Sequence, residues 1–369
     1  MELIKLISTT GSTTFTQGTT LPAVDSVMWV ERYSEPGEFE ITAKLSSGIR
    51  EALPLGTFIS HTDTLELMFV ENHEIMENYD QDPTIKITGR SLEAFLESRI
   101  IGTSFVRTSR AVQEYTVTAD YTWNQLRHLI NWHLDPVVQD DGIENVVAIS
   151  NVTGTGVYEA RSYKKANVLS KVLELLSTDN LGIKTLRRSP FGIPDSSSAE
   201  TRICIHRGTD KSSSVIFSWK AGDIDGAEYL WSDRKTKTSV TVVGRFVNTI
   251  VDTVGYTKFN RRMMLLSAED LDGHLNAFPS EPLVTEITNK MAMRGREALA
   301  AQNRITITRT DLADVSKYQY RKDFNLGDII TLDANFGYIA KMRVVEYVEI
   351  QDENGESGHP TLEVPWVLP

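Results

Sequence analysis

The chain has 369 residues and is 40% hydrophobic, 8% aromatic and 24% charged, a balance that excludes disorder over most of its length and leaves room for two to four domains of roughly 100–200 residues. Its mean hydropathy is -0.23, and no run approaches the ~18 apolar residues of a membrane helix. With 38 Lys and Arg against 50 Asp and Glu, the formal charge of -12 argues against a general nucleic-acid binder, which carries a basic excess to neutralise phosphates.

Met1 to Lys5 shows no basic stretch followed by a long apolar one, so no secretory signal is expected. The single cysteine, Cys204, can form neither an intrachain disulfide nor a zinc site by itself. It reads as a small core residue.

Strand signals open the chain. Asp25 to Glu31, Glu38 to Leu45, Gly56 to His61, Leu65 to Ile75 and Thr84 to Thr88 are rich in β-branched and aromatic residues. In the Glu38 segment, Phe39, Ile41, Ala43 and Leu45 share one face of a half-buried strand. Trp29 and Phe39 are expected to face a core. Gly11, Gly18, Gly37, Gly48, Pro54 and Pro83 punctuate these segments as turns.

Helices are fewer. Ser91 is positioned to cap a short one over Leu92 to Arg99. A second begins near Thr122, with Trp123, Leu126, Ile130 and His133 or Leu134 at helical spacing, and Pro136 ends it. A third covers about Lys165 to Leu176. The longest runs from about Glu281 to Gln302, with Ser280 as N-cap and Pro282 in the first turn. Gly295 inside it predicts a close packing contact, since glycine there costs about 1 kcal/mol against alanine. Thr9 to Thr20, Arg187 to Glu200 and Gly208 to Ser214 read as exposed loops.

Two stretches repeat one pattern. Leu55-Gly56 opens a short strand, a long strand through Glu71 and a strand beginning Pro83-Thr84. Leu326-Gly327 opens the same series, through Glu346 and Pro360-Thr361. Each reads as a β-meander, which gives two copies of one β-domain near the two ends with helical material between them.

Catalytic signatures are missing: there is no phosphate loop, no G-x-G-x-x-G, no H-E-x-x-H and no G-x-S-x-G. His73-Glu74 begins a zincin string, but Glu77 stands where the second His ligand belongs, on a stretch that reads as strand. His128 and His133 are five apart and cannot share a helical face. Asp223-Ile224-Asp225-Gly226 lacks the later ligands of a calcium loop and reads as a turn opening a strand. Arg187-Arg188 and Arg261-Arg262 read as solvated surface. No catalytic, cofactor-binding or metal-ligating residue is therefore singled out, and no cofactor is expected.

Three blocks carry a resemblance. They are Trp29-x-x-Arg32-Tyr33-x-x-Pro36-Gly37-Glu38-Phe39-Glu40-Ile41, then Gly89-Arg90-Ser91-Leu92-x-x-Phe95-Leu96-x-x-Arg99-Ile100-Ile101-Gly102, then Asp323-Phe324-Asn325-Leu326-Gly327-Asp328-Ile329-Ile330-Thr331. Together they resemble the tail-hub family of long-tailed, non-contractile bacteriophages, the tail-tip or baseplate hubs and the N-terminal regions of tail-associated lysins. Phe324 replaces the usual Tyr and Ile330 the usual Val. The resemblance spans about residues 25 to 350 and is thinnest over 105 to 235.

The resemblance implies a mainly β, α+β fold. Two tail-tube-like β-barrel or sandwich domains flank a mixed insertion, as in the hubs of contractile tails and type VI secretion spikes. The expected division is 1–105 for the first β-domain, 106–235 for the mixed middle region and 236–369 for the second β-domain with its long helix. It also implies a structural virion protein rather than an enzyme: a homotrimer at the tail tip, made in the host cytoplasm, that adapts sixfold to threefold symmetry. Its partners would be the distal tail or tube ring, the tape measure, and the spike or fibres. Genomic DNA would pass through without specific binding, near the host surface and without membrane insertion. Many relatives carry a C-terminal hydrolase or receptor-binding module, for which no room is expected before Pro369. The rival expectations are a tail-borne glycosidase or peptidase, and a receptor- or carbohydrate-binding tail protein.

Overall fold

A computed structural model describes residues 2–8, 15–22, 24–79, 81–101, 115–134, 143, 146–152, 158–163, 166–187, 201–234, 236–252, 259, 261–272, 281–300, 305–313 and 316–365. Strands take 49% and helices 21% of it, an α+β fold dominated by β-structure.

The main feature is a 13-stranded sheet built from both ends of the chain. Its first unit runs Phe58–His61, Met68–Asn78, Gln81–Ser91, Glu38–Lys44, Ser26–Arg32, each strand antiparallel to the next. Its second unit runs Ile329–Asp333, Ile339–Asp352, Gly355–Glu363, Ile305–Leu312, Ile224–Ser232, again antiparallel throughout. The repeat read in the meanders therefore extends to five strands per unit. The short strand Ile216–Ser218 joins the second unit parallel to Ile329–Asp333. Leu3–Ser8 and Phe15–Thr20 extend the first unit beyond Phe58–His61.

Both units turn in the same way. The Gly56 N–H donates to the Val70 carbonyl and the Val70 N–H to Thr57; the Gly327 N–H donates to the Val344 carbonyl and the Val344 N–H to Asp328. Both glycines hold a left-handed φ, 80° and 87°, that other residues adopt only with strain. Each long strand then bulges one residue on, at Glu71 and at Val345. Val70 thus corresponds to Val344. The sequence alignment of Glu71 with Glu346 is one residue out, because it matches two acidic side chains by type whereas the ladder sets Glu346 at the place of Asn72.

Phe39, Ile41 and Ala43 are buried as the alternation predicts, and Trp29 is fully covered. Leu45 departs from the pattern and is only partly buried, in a 3-10 turn after the strand. Leu92–Ser98 is also 3-10 rather than α-helical, and Ser91 makes no side-chain cap. Its hydroxyl instead accepts from the Gly37 N–H at 2.8 Å. Phe15–Thr20 is a strand, not the loop expected over Thr9 to Thr20, because Leu3–Ser8 supplies its ladder partners. The rest of that loop lies outside the described residues, as does nearly all of Arg187 to Glu200. Arg187 is not merely solvated: its Nη2 donates to the Thr64 carbonyl at 3.1 Å.

The middle of the chain forms its own core. Helices Thr122–Leu134 and Val168–Thr178 pack Leu126, Ile130, Val172 and Leu176 onto a sheet ordered Gly182–Leu186, Thr201–His206, Val146–Ser150. Cys204 is buried there, and burial pushes its thiol up to about 12. A separate cluster places helix Glu281–Ala300 on the sheet of Ser239–Val243, Asn248–Asp252 and Met263–Ser267. Gly295 makes the close contact predicted: a Cβ there would lie 3.0 Å from methyls of Val242 and Val251.

Candidate functional site

The first and third of the blocks that carried the resemblance meet where the two units join, while the second lies within the first unit. Ser26–Arg32 of the first unit pairs antiparallel with Ile339–Asp352 of the second, from Arg32 opposite Glu346 to Val27 opposite Gln351. The sheet is therefore continuous across both units.

Trp29, Arg32 and Tyr33 of the first block fasten this joint. Trp29 packs edge-on against His61 at 4.9 Å and stacks with Phe39 at 6.1 Å. Arg32 donates to Glu346 across the joint at 2.8 Å, to the Pro36 carbonyl at 3.0 Å and to Glu38. Tyr33 lies where both units meet the middle region. Its N–H donates to the Val345 carbonyl at 2.8 Å, and its carbonyl accepts from the Ile183 N–H at 2.8 Å. The ring fills the space over two glycines: a Cβ on Gly182 would lie 2.3 Å from it, and one on Gly327 2.2 Å. The Arg343 guanidinium covers the ring at 5.2 Å, and the hydroxyl donates to the Asn180 carbonyl at 2.8 Å.

The second block locks neighbouring strands of the first unit together. A Cβ on Gly89 would lie 1.9 Å from the Phe69 carbonyl oxygen. Arg90 grips Glu71 with two bonds of 2.8 and 2.9 Å. In the third block, Asp328 accepts from the Thr209 N–H and hydroxyl and pairs with Lys211 at 2.9 Å.

A charge network lies beneath the joint, buried at Glu31 and half-buried at Arg321 and Glu349, and the motif reading did not single it out. Arg321 bridges the units, donating to Glu31 at 2.7 Å and to both oxygens of Glu349 at 2.8 and 3.0 Å. Glu31 also accepts from the Tyr320 hydroxyl at 2.6 Å and from the Thr64 hydroxyl at 3.0 Å. His61 Nε2 sits 3.3 Å from Glu349. Arg321 adopts a left-handed φ of 65°, an uncommon backbone for a long side chain. One signal was present: Glu31 follows Val27 and Trp29 at period two, so it had to point a charge into the core.

Burial alone would raise the Glu31 carboxyl. Arg321, Lys184 and the Tyr320 hydroxyl outweigh burial and bring it to about 2. Burial raises Glu66 well above the usual carboxylate range, reinforced by the charges of Glu31 and Glu93. Two carboxylates pushed apart in this way can mark acid–base catalysis. Here both side chains are shut away from solvent, at 3% and 2% exposure, which fits a structural pair. The surface hollow beside the joint has carboxylates too, but Glu38, Glu40 and Glu71 are each taken by Arg32, Lys86 and Arg90.

The residues weighed for metal chemistry are not brought together. His73 lies on a strand and bonds the Leu53 carbonyl at 2.7 Å. His133 is buried against the Leu129 carbonyl while His128 is exposed. Among the described residues no group of three or more His, Cys, Asp or Glu is arranged to hold a metal ion.

No curated protein matches the sequence. Solved structures share the fold across nearly the whole chain. The 43 kDa tail protein of prophage MuSo2 from Shewanella oneidensis superposes with a TM-score of 0.58 at 12% identity, covering 99% of each chain. A tail protein from Neisseria meningitidis MC58 gives 0.59 at 10% identity and 95% of each chain. Prophage tail protein gp18 from Listeria monocytogenes EGD-e gives 0.52 at 10%, covering 98% of this chain and 94% of its own. The sequence itself matches the family described as Siphovirus ReqiPepy6 Gp37-like protein over residues 13–362. The chain thus belongs to the Siphovirus ReqiPepy6 Gp37-like protein family and has the fold of phage tail proteins.

Proposed function

We propose that this protein is a structural component of the virion, a homotrimeric hub at the tip of a long non-contractile tail. The observation that supports this is the pair of equivalent five-stranded units fused edge to edge within one chain. Three such chains offer six similar units, enough to continue a sixfold tube, and they present only threefold symmetry to whatever lies beyond. The hub contacts the distal tail or tube ring on one side and the spike or fibres on the other. The tape measure and the genome occupy its axis.

The chemistry of the joint fits this role. Its charges are spent on holding strands in register, and the carboxylates near the surface hollow are paired. The net charge of -12 suits a bore that does not grip DNA; at physiological salt its repulsion reaches about 8 Å from the wall.

Electron microscopy of the purified protein tests the reading. Class averages should show a threefold ring with six similar lobes around an open or plugged axis. A particle that stays a single 41.4 kDa chain at every concentration and in every tail preparation overturns it.

A further inference from the structure

The joint inside the chain predicts the joint between chains. We infer that strand Ile224–Ser232 of one copy pairs antiparallel with the 72–76 stretch of strand Met68–Asn78 in the next copy, with Tyr229 opposite the partner subunit's Ile75. The inference rests on the ring proposed above and assigns its interface and register.

The correspondence follows from ladder pairs. Val70 equals Val344 by the shared turn and bulge. Val70 faces Gly89, Gly89 faces Phe39, and Phe39 faces Trp29. In the second unit Val344 faces Leu362, Leu362 faces Thr308, and Thr308 faces Tyr229. Tyr229 therefore stands where Trp29 stands. Ile75 follows Val70 by as many positions as Glu349 follows Val344, and each strand bulges at the first step. Within the chain, Trp29 faces Glu349. The repeated operation sets Tyr229 against the partner subunit's Ile75, Leu230 against the partner subunit's Glu74, and Glu228 against the partner subunit's Met76.

Both edges are open among the described residues of the single chain. Among the described residues, Ile224–Ser232 ends the sheet and pairs only with Ile305–Leu312. Met68–Asn78 meets Phe58–His61 only at Met68 and Phe69, so among the described residues nothing pairs with 72–76 on that side. The equivalent stretch of Ile339–Asp352 is the one that Ser26–Arg32 occupies.

Exposure marks the same residues. Val30 and Glu31 are each 3% exposed inside the joint, whereas their counterparts Leu230 and Trp231 are 49% and 50% exposed. Ile75 and Met76 on the opposite edge are 39% and 43% exposed. Trp231 stacks on Tyr229 at 5.9 Å, with Phe336 and Tyr338 completing an aromatic cluster beside the edge. A long apolar edge is an aggregation hazard unless something covers it, and exposed aromatic clusters are typical of interface anchors. The register places no like charges opposite one another. Because the two edges differ, the contact is heterologous, and such contacts close into rings when the rotation allows.

Paired cysteines test it in the full chain. Directly opposed residues in an antiparallel pair have Cα atoms about 4.5–5.5 Å apart, within disulfide reach. Leu230→Cys with Glu74→Cys should cross-link chain to chain on mild oxidation and saturate at three chains on a non-reducing gel. Leu230→Cys with Asn72→Cys, two residues out of register, should not. Glu228→Cys with Met76→Cys reads the same register if the first pair folds poorly, as judged by circular dichroism. A trimer by light scattering that fails to cross-link at either in-register pair overturns the pairing and leaves the hub standing. In-register cross-links in open-ended polymers support the pairing and overturn the closed ring. Monomers with no cross-link overturn both.

Discussion

Arg321 ties together residues that are far apart in sequence. Its guanidinium holds Glu31 of the first unit and Glu349 of the second, and its backbone accepts a left-handed φ to do so. Removing one partner of a buried ion pair costs about 3–5 kcal/mol, since the remaining charge is left unpaired. Arg321→Ala should fall in that range by urea denaturation. Arg321→Gly should be slightly less damaging, because glycine takes the left-handed backbone freely. Arg321→Lys should lie between Ala and wild type, as an ammonium cannot span both carboxylates. Equal stability of Arg321→Ala and wild type would mean that the bridge contributes nothing. Trp29 and Phe39 are a different case, where packing rather than charge is lost. Trp29→Ala and Phe39→Ala should each cost about 3–5 kcal/mol and give insoluble or unassembled protein. Glu38→Ala, on the opposite face of the strand, should be mild when solubility and melting temperature are compared.

Among the elements, those with strong internal periodicity were legible from sequence. Trp29, Phe39, Ile41 and Ala43 alternate, and they are buried as expected. Helix Thr122–Leu134 was readable from its apolar spacing. Elements that depend on distant partners were not. Phe15–Thr20 reads as loop because its residues are polar, yet Leu3–Ser8 gives it a ladder. The Leu92–Ser98 segment has helical spacing but is wound as 3-10, where Ser91 is drawn away to Gly37. The second unit takes in Ile216–Ser218 and Ile224–Ser232 from the stretch expected for the middle region, and the Ser239–Val243 sheet with its long helix stands apart from the large sheet. Strand pairing across 80 or more residues leaves no local trace, as the Glu228–Arg309 contact shows. One further link of this type joins the middle region to the long helix. Arg161 donates to Glu297 at 3.0 Å and to Gln125 at 2.6 Å, with both charged groups buried. Arg161→Ala should destabilise the protein by about 3–5 kcal/mol. Glu297→Gln should cost less, because burial already raises that carboxyl to about 7 against the pull of Arg161. Chemical denaturation of the two variants checks the order, and the reverse order would show that Glu297 carries a full charge.

For the whole molecule, the meander repeat was visible in sequence, but the fusion of its two copies was not. The residues that fuse them, Glu31, Arg321 and Glu349, sit in three separate stretches and share no motif spacing. Titration of Glu31 and of the neighbouring buried Glu66 and Glu93 gives the molecule a pH dependence of two opposite signs. Glu31 has a folded value of about 2, below its ordinary 4.5. Its contribution is complete above 4.5 and is lost as pH falls from there towards 2. Glu66 and Glu93 are raised, by burial first. They keep protons that the unfolded chain has released above 4.5, so their contribution is lost as pH rises above that value. Stability of the joint should therefore peak in mildly acidic solution and decline on both sides. Glu66→Gln fixes the neutral form, so its stability relative to wild type should increase as pH climbs above 4.5. Glu31→Gln should destabilise by a few kcal/mol at neutral pH, and its deficit should shrink as pH drops below 4.5. Melting curves of the three proteins from pH 3 to pH 9 measure this. A Glu66→Gln difference that stays flat across the range would mean that the Glu66 carboxyl is ionised in the fold, with Lys184 as its counter-charge.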